Sequence, residues 1–250
     1  MRLFLSLSYN GSPFCGWQSQ PGGRSIQGEL ERALSIAFGE SIAVVGAGRT
    51  DAGVNARNYI AHFDLTADEV KEPSQKIRKL NAILPREIRV FDIFCVSPDA
   101  HARFDAVSRT YRYYLHTAKD PFAHLSYLYT FPLDMEAMNR AAARLLGEHD
   151  FSSFEKVGSD NGTSLCTVTE ARWEALDETH LVFTVTANRF LRNMVRAMVG
   201  TLLEIGRGRH DEAWMDEVLA ARDRGSAGQS VPGEALFLEE IRYPYPLTTI

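Results

Sequence analysis

Glycine, arginine and a carboxylate meet in one short stretch of the chain, Gly46-Ala47-Gly48-Arg49-Thr50-Asp51-Ala52-Gly53-Val54. Three glycines within eight residues let a backbone turn sharply or meet a ligand at close range. A nucleotide-phosphate loop is the first chemistry this suggests, and the spacing excludes it. A dinucleotide fingerprint needs glycine where Asp51 stands, and no Gly-Lys-Ser/Thr follows. A carboxylate would also repel the phosphate. Asp51 could merely close a turn, as aspartates often do. Arg49, two residues earlier, favours chemistry instead, because at a strand end both side chains can point into a cleft.

Two segments concentrate positive charge. Residues 187–209 carry Arg189, Arg192, Arg196, Arg207 and Arg209 against Glu204, a local sum of +4. Residues 101–119 carry Arg103, Arg109, Arg112 and Lys119 against Asp105, a sum of +3, with His101 and His116 alongside. Such clusters are solvated surface in many proteins, yet they are also what a phosphate backbone requires. On a helix Arg189, Arg192 and Arg196 would fall at i, i+3 and i+7, on one face, while Leu191, Met194, Val195, Met198 and Leu202 read as core. Tyr111, Tyr113 and Tyr114 lie close along a strand, with Tyr111 and Tyr113 on one side. A tyrosine there is more often core than catalytic, but its ring can stack on a displaced base and its hydroxyl can relay a proton.

The elements that must position these residues follow from pattern. Leu3, Leu5 and Leu7 alternate in a strand from Arg2 to Tyr9, and a Gly/Pro/Ser-rich loop runs from Asn10 to Arg24. A helix is predicted from Ile26 to Phe38, between Ser25 as N-cap and Gly39 as stop. Strands are predicted at Ile42–Gly48 and Tyr59–Leu65, with a polar turn at Arg49–Asn58 between them. Pro73 opens a second helix that ends before Pro85, and Ile88–Val96 is a strand. That order is β-α-β-β-α-β, a named supersecondary pattern. Strands at Ser108–His116, Cys166–Ala175, Leu181–Ala187 and Leu236–Tyr243, with helices at Met135–Leu146, Phe190–Ile205 and Glu212–Arg222, repeat it. The expected fold class is α+β: two ferredoxin-like halves, residues 1–104 and 105–250, with a joined central antiparallel sheet and helices on one side. Polar inserts at Lys119–Ser126 and Glu155–Ser164 would line or flank the groove between them.

Composition narrows the class. Of 250 residues, 45% are hydrophobic and 24% charged, an ordinary globular balance. No apolar run reaches the roughly 20 residues that span a membrane, and Met1–Ser6 lacks a signal peptide's apolar stretch. Cys15, Cys95 and Cys166 are scattered and odd in number, which suits neither a disulfide framework nor a zinc site. A cytoplasmic location, no membrane and no metal are the expectations. The net charge of −5 argues against non-specific coating of nucleic acid but leaves room for a local basic groove.

Gly48-Arg49-Thr50-Asp51-Ala52-Gly53-Val54 resembles the signature loop of the tRNA pseudouridine synthase A family, whose aspartate is its essential residue. The likeness continues in order along the chain. Tyr9-Asn10-Gly11-Ser12-Pro13-Phe14-Cys15-Gly16-Trp17-Gln18-Ser19-Gln20 is similar to the family's opening loop, and Ser25-Ile26-Gln27-Gly28-Glu29-Leu30 to the start of its first helix. Asn81-Ala82-Ile83-Leu84-Pro85, Phe104-Asp105-Ala106 and Arg109-Thr110-Tyr111-Arg112-Tyr113 resemble its middle. Phe190-Leu191-Arg192-Asn193-Met194-Val195-Arg196 with Gly200 resembles its late arginine helix. Two positions depart: Asn55 stands where the family usually has histidine, and Tyr59 where it often has glutamine.

The resemblance implies an isomerase that converts uridine to pseudouridine in the anticodon stem-loop of tRNA, at positions 38, 39 and 40. It implies no cofactor, tRNA as partner, and a homodimer. Asp51 would be the catalytic carboxylate, acting at the ribose or at uracil C6. Arg196 would stabilise its charge, and Tyr111 would serve in the active site. Arg49 would hold the place of the flipped base or steady its phosphate. Gly46 and Gly48 would let RNA approach the backbone, and Arg189 and Arg192 would take phosphates. Three rivals have less support. An RNA-binding module should show a ribonucleoprotein signature, which is missing. An inactive paralogue rests on Asn55 alone, and a phosphate-binding metabolic enzyme has the wrong glycine spacing.

Overall fold

Leu3, Leu5 and Leu7 alternate along the first strand and are all fully buried, and this strand organises the sheet around it. The computed structural model describes residues 1–67, 70–159 and 162–249. Its elements begin with β1 (Arg2–Tyr9), α1 (Ile26–Phe38), β2 (Val44–Gly46), β3 (Asn55–Asp64), α2 (Pro73–Ile83) and β4 (Ile88–Cys95). Next come β5 (Ser108–His116), β6 (Tyr127–Leu128), α3 (Met135–Ala143), β7 (Gly147–Asp150), β8 (Leu165–Ala175), β9 (His180–Ala187), α4 (Met194–Gly206) and α5 (Trp214–Ala221). The chain closes with β10 (Leu236–Arg242) and β11 (Thr248–Thr249). The class is mixed α+β. Contacts group Met1–Val107 with Leu238–Ile250 in one unit and Ser108–Phe237 in the other. A division at 104/105 puts Leu238–Ile250 in the second half instead. Their packing partners are Phe4, Ala100 and Ala102 of the first unit, through Ile241, Tyr243 and Leu247.

In the first unit the strand order is β11-β4-β1-β3-β10, with β2 on β3. β1 runs antiparallel to both neighbours, Leu5 lying opposite Ala61 of β3 and Ile93 of β4. Phe4 faces the other way and is also fully buried, against Ala47, Ile60, Ala100 and Ala102. α1 starts where the Ser25 hydroxyl accepts the Gly28 N–H at 3.1 Å. It stops at Gly39, whose φ of 81° only glycine adopts cheaply. β3 starts four residues earlier than its apolar pattern indicates. Arg57 and Asn58 are exposed but tied to Glu239 of β10, by an ion pair at 3.5 Å and by a bond from the Asn58 amide to the Glu239 carbonyl at 2.9 Å. Polar residues therefore extend the strand.

The second unit has the order β5-β9-β8-β7, with β6 parallel to β5. Tyr111 pairs with Val185 and Tyr113 with Phe183, which fixes the tyrosine strand in register. α3 ends at Ala143, short of the expected Leu146. Arg144, Leu145 and Leu146 instead donate three residues back, a tightening common at helix ends. Of the polar insert at 155–164, residues 160 and 161 lie outside the described residues.

Each unit solves one edge problem in the same way. β7 covers β8 only as far as Val168, so the outward N–H and C=O of Trp173 need another partner. Asn139 of α3 accepts from that N–H at 2.7 Å and donates to that carbonyl at 3.1 Å. Asn81 of α2 grips Val90 of β4 identically, at 2.8 and 2.9 Å. A side-chain amide carries the same donor and acceptor as a strand, so it continues the ladder. Asn139→Ala should cost about 1–3 kcal/mol by leaving two strand groups unpaired. Asn139→Asp, which keeps only the acceptor, should lose a comparable amount. Urea midpoints of the two variants and wild type measure this.

Candidate active site

The Asp51 loop follows β2 and precedes β3, and it is held from below by the opening loop, residues 10–24. The Thr50 carbonyl accepts the Trp17 N–H at 3.1 Å, and the Thr50 hydroxyl bonds that of Tyr9 at 2.9 Å. The Asp51 carbonyl accepts the Val54 N–H at 3.2 Å and closes the turn. Gly16 has φ of 103°, and a Cβ there would lie 2.5 Å from the Thr50 carbonyl oxygen. A Cβ on Gly11 would run into the Val54 carbonyl. Backbone thus lies directly on backbone at both ends of the Asp51 turn. The opening loop is itself anchored to α1, whose Ile26 and Gln27 N–H groups donate to Gly16 and Trp17 carbonyls at 3.2 and 3.0 Å. Those are helix-start donors that would otherwise lack partners. Thr50 is buried, Asp51 half-buried and Arg49 exposed, so the carboxylate has a fixed backbone and a route to a ligand.

The two departures from the family pattern lie in this support. Asn55 is fully buried, and its Oδ1 accepts the Gly11 N–H at 2.9 Å. Tyr59 is fully buried too. Its hydroxyl donates to the Gly48 carbonyl and accepts the Gly48 N–H at 3.3 Å. Its ring stacks on Trp17 at 4.2 Å. Gly46 lies against this pair, and a Cβ there would strike the Tyr59 hydroxyl and the Trp17 ring. Gly46 therefore has a packing reason to be glycine, and it also lines the pocket beside the loop. Gly48 has open space where a Cβ would stand, as an approach to ligand requires. Sequence reasoning missed Gly11, Gly16 and Trp17 as site residues. The signal available was a run of glycines and aromatics in a loop too long to be a simple connection.

A pocket opens beside the loop, bounded by Gly48, Arg49, Trp17, Gln18, Gln27 and Arg103. Arg103 belongs to a turn that buried histidine chemistry holds. His62 is buried, and its Nδ1 accepts the Ala102 N–H at 3.1 Å. Burial, then the nearby His101 and Arg2, push its pKa down to about 4.

In the second unit Tyr111 is buried, with the Phe190 ring edge-on at 5.0 Å. Arg196 lies on α4. Its Nε donates to the Val231 carbonyl at 2.7 Å, and the Val231 N–H returns to the Arg196 carbonyl at 3.2 Å. The strap bearing Val231 docks where α4 is narrow. The Gly228 N–H donates to Thr201 Oγ1 at 2.9 Å, and a Cβ on Gly200 would strike the Gln229 carbonyl. The expected arginine helix requires correction. α4 begins at Met194, because Asn193 has φ of 68° and breaks the helical path. Its amide donates to the Ser230 hydroxyl at 2.7 Å. Arg189 (half-buried) and Arg192 (exposed) lie ahead of the helix, and the Arg192 carbonyl accepts the Lys156 N–H at 3.0 Å. The three arginines do not form one helical stripe.

Among the described residues, no group of three or more His, Cys, Asp or Glu is placed to hold a metal, and no helix is long and apolar enough to cross a membrane. A glycine-packed carboxylate loop with an adjoining arginine pocket suits a nucleic-acid-modifying enzyme. A family model described as tRNA pseudouridine synthase matches residues 141–244. A tRNA pseudouridine synthase A of Porphyromonas gingivalis is 48% identical over 98% of both chains. One from Parabacteroides distasonis is 50% identical over 98% of this chain and 97% of its own. A solved Cbf5-Nop10-Gar1 complex aligns at TM-score 0.32 and 10% identity, over 80% of this chain and 54% of that one, a likeness too weak to bear on the fold. The chain belongs to the tRNA pseudouridine synthase A family, isomerases that convert uridine to pseudouridine in tRNA.

Gly16→Ala should lower stability by about 2 kcal/mol or more and depress activity further, since it strains the backbone and displaces Thr50. Gly22→Ala, with φ of 77° but nothing within 4 Å, is the control that carries backbone strain alone. Thermal melts and turnover of the pair separate strain from loop displacement. Acid should weaken the fold through His62. Folded His62 resists a proton that the unfolded chain takes up near pH 6.5, so its contribution is complete above that pH. Stability should fall by up to about 3 kcal/mol as pH drops from 6.5 towards 4. In His62→Gln, which can still accept from Ala102, urea midpoints should fall less steeply over that window.

Proposed function

We propose that this chain converts uridine to pseudouridine in the anticodon stem-loop of tRNA, at positions 38, 39 and 40. The observation that carries the catalytic assignment is the Asp51 turn, fixed by the Gly16 and Gly11 backbones beside an arginine-bearing pocket. In the reaction the N1–C1′ bond breaks, the uracil turns, and a C5–C1′ bond forms. The C5 proton is lost and N1 gains one. Product and substrate are isomers, so the chemistry calls for neither oxidant nor energy source, and no cofactor is assigned. Asp51 acts as nucleophile at the ribose or as a nucleophile or base at the uracil ring. Arg196 stabilises its charge, its guanidinium held through Nε by Val231. Tyr111 stacks on or relays a proton to the displaced base. Arg49 and Gly48 receive the RNA at the loop, and Arg189 and Arg192 bind phosphates from the segment ahead of α4.

In this reading the fold is two ferredoxin-like halves with a joined central sheet and helices on one side, residues 1–104 carrying the catalytic loop and 105–250 the tyrosine strand and arginines. The β-α-β-β-α-β order of the first six elements supports it. The enzyme is a cytoplasmic homodimer that clamps one tRNA, which reconciles a net charge of −5 with RNA binding through local basic clusters.

Asp51→Asn keeps the shape of the side chain and removes its charge. Turnover should fall by several orders of magnitude while tRNA affinity stays within about tenfold, because phosphate contacts dominate binding. Substantial pseudouridine formation by this variant, measured on bulk tRNA, would remove Asp51 from the mechanism. Affinity should also fall steeply with salt. Arg189→Ala and Arg192→Ala should each flatten the log–log slope by about one unit for every phosphate no longer neutralised. A slope unchanged by both returns these arginines to solvated surface.

A further inference from the structure

Phe104 is 74% exposed, yet the turn that bears it is among the most tightly held in the first unit. His101 Nδ1 accepts the N–H groups of both Arg103 and Phe104, at 3.1 and 3.2 Å. Asp105 Oδ2 accepts the His101 N–H at 2.8 Å and the Tyr245 hydroxyl at 2.6 Å. Tyr243 donates to the Ala102 carbonyl at 2.6 Å, His62 receives the Ala102 N–H, and Ala100 and Ala102 are buried beneath. The Phe104 ring rests against His101, centroids 4.2 Å apart, with the Arg103 guanidinium 5.6 Å from its centre. All this order goes into presenting an aromatic ring to solvent. A ring fixed in advance stacks on a ligand with little further loss of conformational freedom.

Arg103 also lines the pocket beside the catalytic loop, and that pocket contains two arginines and no acid. We infer that Phe104 and Arg103 form a nucleotide platform for the RNA flanking the target uridine: a base stacks on the exposed ring of Phe104, and Arg103 with Arg49 takes the adjoining phosphate. The inference rests on the reading that the substrate is RNA and deepens it. Stacking tolerates any base, because every base has a flat π face. Such a platform suits an enzyme that accepts neighbouring positions. It also assigns the Phe104-Asp105 motif a division of labour, with Asp105 and His101 building the turn and Phe104 touching the ligand.

The test uses a fluorescently labelled anticodon stem-loop and binding anisotropy on the full-length protein. Phe104→Ala should weaken affinity about tenfold, as loss of one base–aromatic stack does. Phe104→Trp should stay within about threefold of wild type. Phe104→Leu, which keeps apolar bulk without the aromatic face, should match Phe104→Ala and covers the case in which the alanine variant misfolds. Arg103→Met should flatten the salt dependence by about one unit. Wild-type affinity in both Phe104→Ala and Phe104→Leu overturns the platform, as does equal loss in Phe104→Trp. So does a change of sedimentation with RNA affinity intact, which makes the ring a protein contact. If wild type makes pseudouridine while these variants bind normally, only the platform fails. If wild type neither binds RNA nor forms pseudouridine, the functional reading fails first.

Discussion

The contact of one backbone on another, at Gly16 against Thr50–Asp51 and at Gly11 against Val54, is the constraint on which the shape of the Asp51 loop depends. A side chain between the two loops would push them apart, and the carboxylate would then move with a flexible turn. With hydrogen only at those two Cα positions, the opening loop becomes a floor for the Asp51 turn. The floor is in turn stiffened by bonds to the first donors of α1 and by the Tyr9, Trp17 and Tyr59 rings packed under it. Order passes from core aromatics to loop backbone to the turn that bears the Asp51 carboxylate, the kind of support a precisely placed side chain needs.

The turn at 101–105 repeats that logic with different parts. Its exposed residues, Arg103 and Phe104, are surface chemistry, and its fixed residues, Ala100, Ala102, His62 and Asp105, are structure. His62 serves here because neutral imidazole accepts a backbone N–H from within an apolar setting, where an acid would have to stay charged or rise in pKa. The price is sensitivity to acid, since protonation removes the acceptor.

Much of the fold was legible because it is periodic. α1 was readable to the residue from Ser25, its apolar stripe and Gly39, and β5 from its alternation. The start of β3 was not, since Arg57 and Asn58 are polar and join the strand through Glu239, a partner remote in sequence. The arginine segment misled for a local reason. Spacing of i, i+3 and i+7 has meaning only on a continuous helix, and Asn193 interrupts it just before Arg196. Asn193 in a left-handed conformation is a recognisable exception among non-glycine residues, but nothing in its neighbours announces it. At the site, Asp51 and its glycines were visible as a motif, whereas the glycines of the opening loop were visible only as part of a Gly/Pro/Ser-rich segment with a family likeness. Their part in close packing requires knowing what lies across from them.

Asn55 and Tyr59 depart from the family pattern at positions that flank Asp51, where by sequence alone either could alter substrate range or rate. Both are fully buried and bonded to the loop's own backbone, Asn55 to Gly11 and Tyr59 to Gly48. Tyr59 further accounts for Gly46, because its hydroxyl and the Trp17 ring occupy the space of any larger residue there. Gly46, Trp17 and Tyr59 are therefore one packing unit, and changing Tyr59 alone would leave a cavity beneath Gly48. The departures lie in how the loop is supported: Tyr59 fixes Gly48 and packs on Trp17 and Gly46, and those three residues line the pocket to which Arg49 and Arg103 bring charge. Support and pocket therefore share residues, so a change at Tyr59 reaches the pocket wall through Gly48 and Trp17.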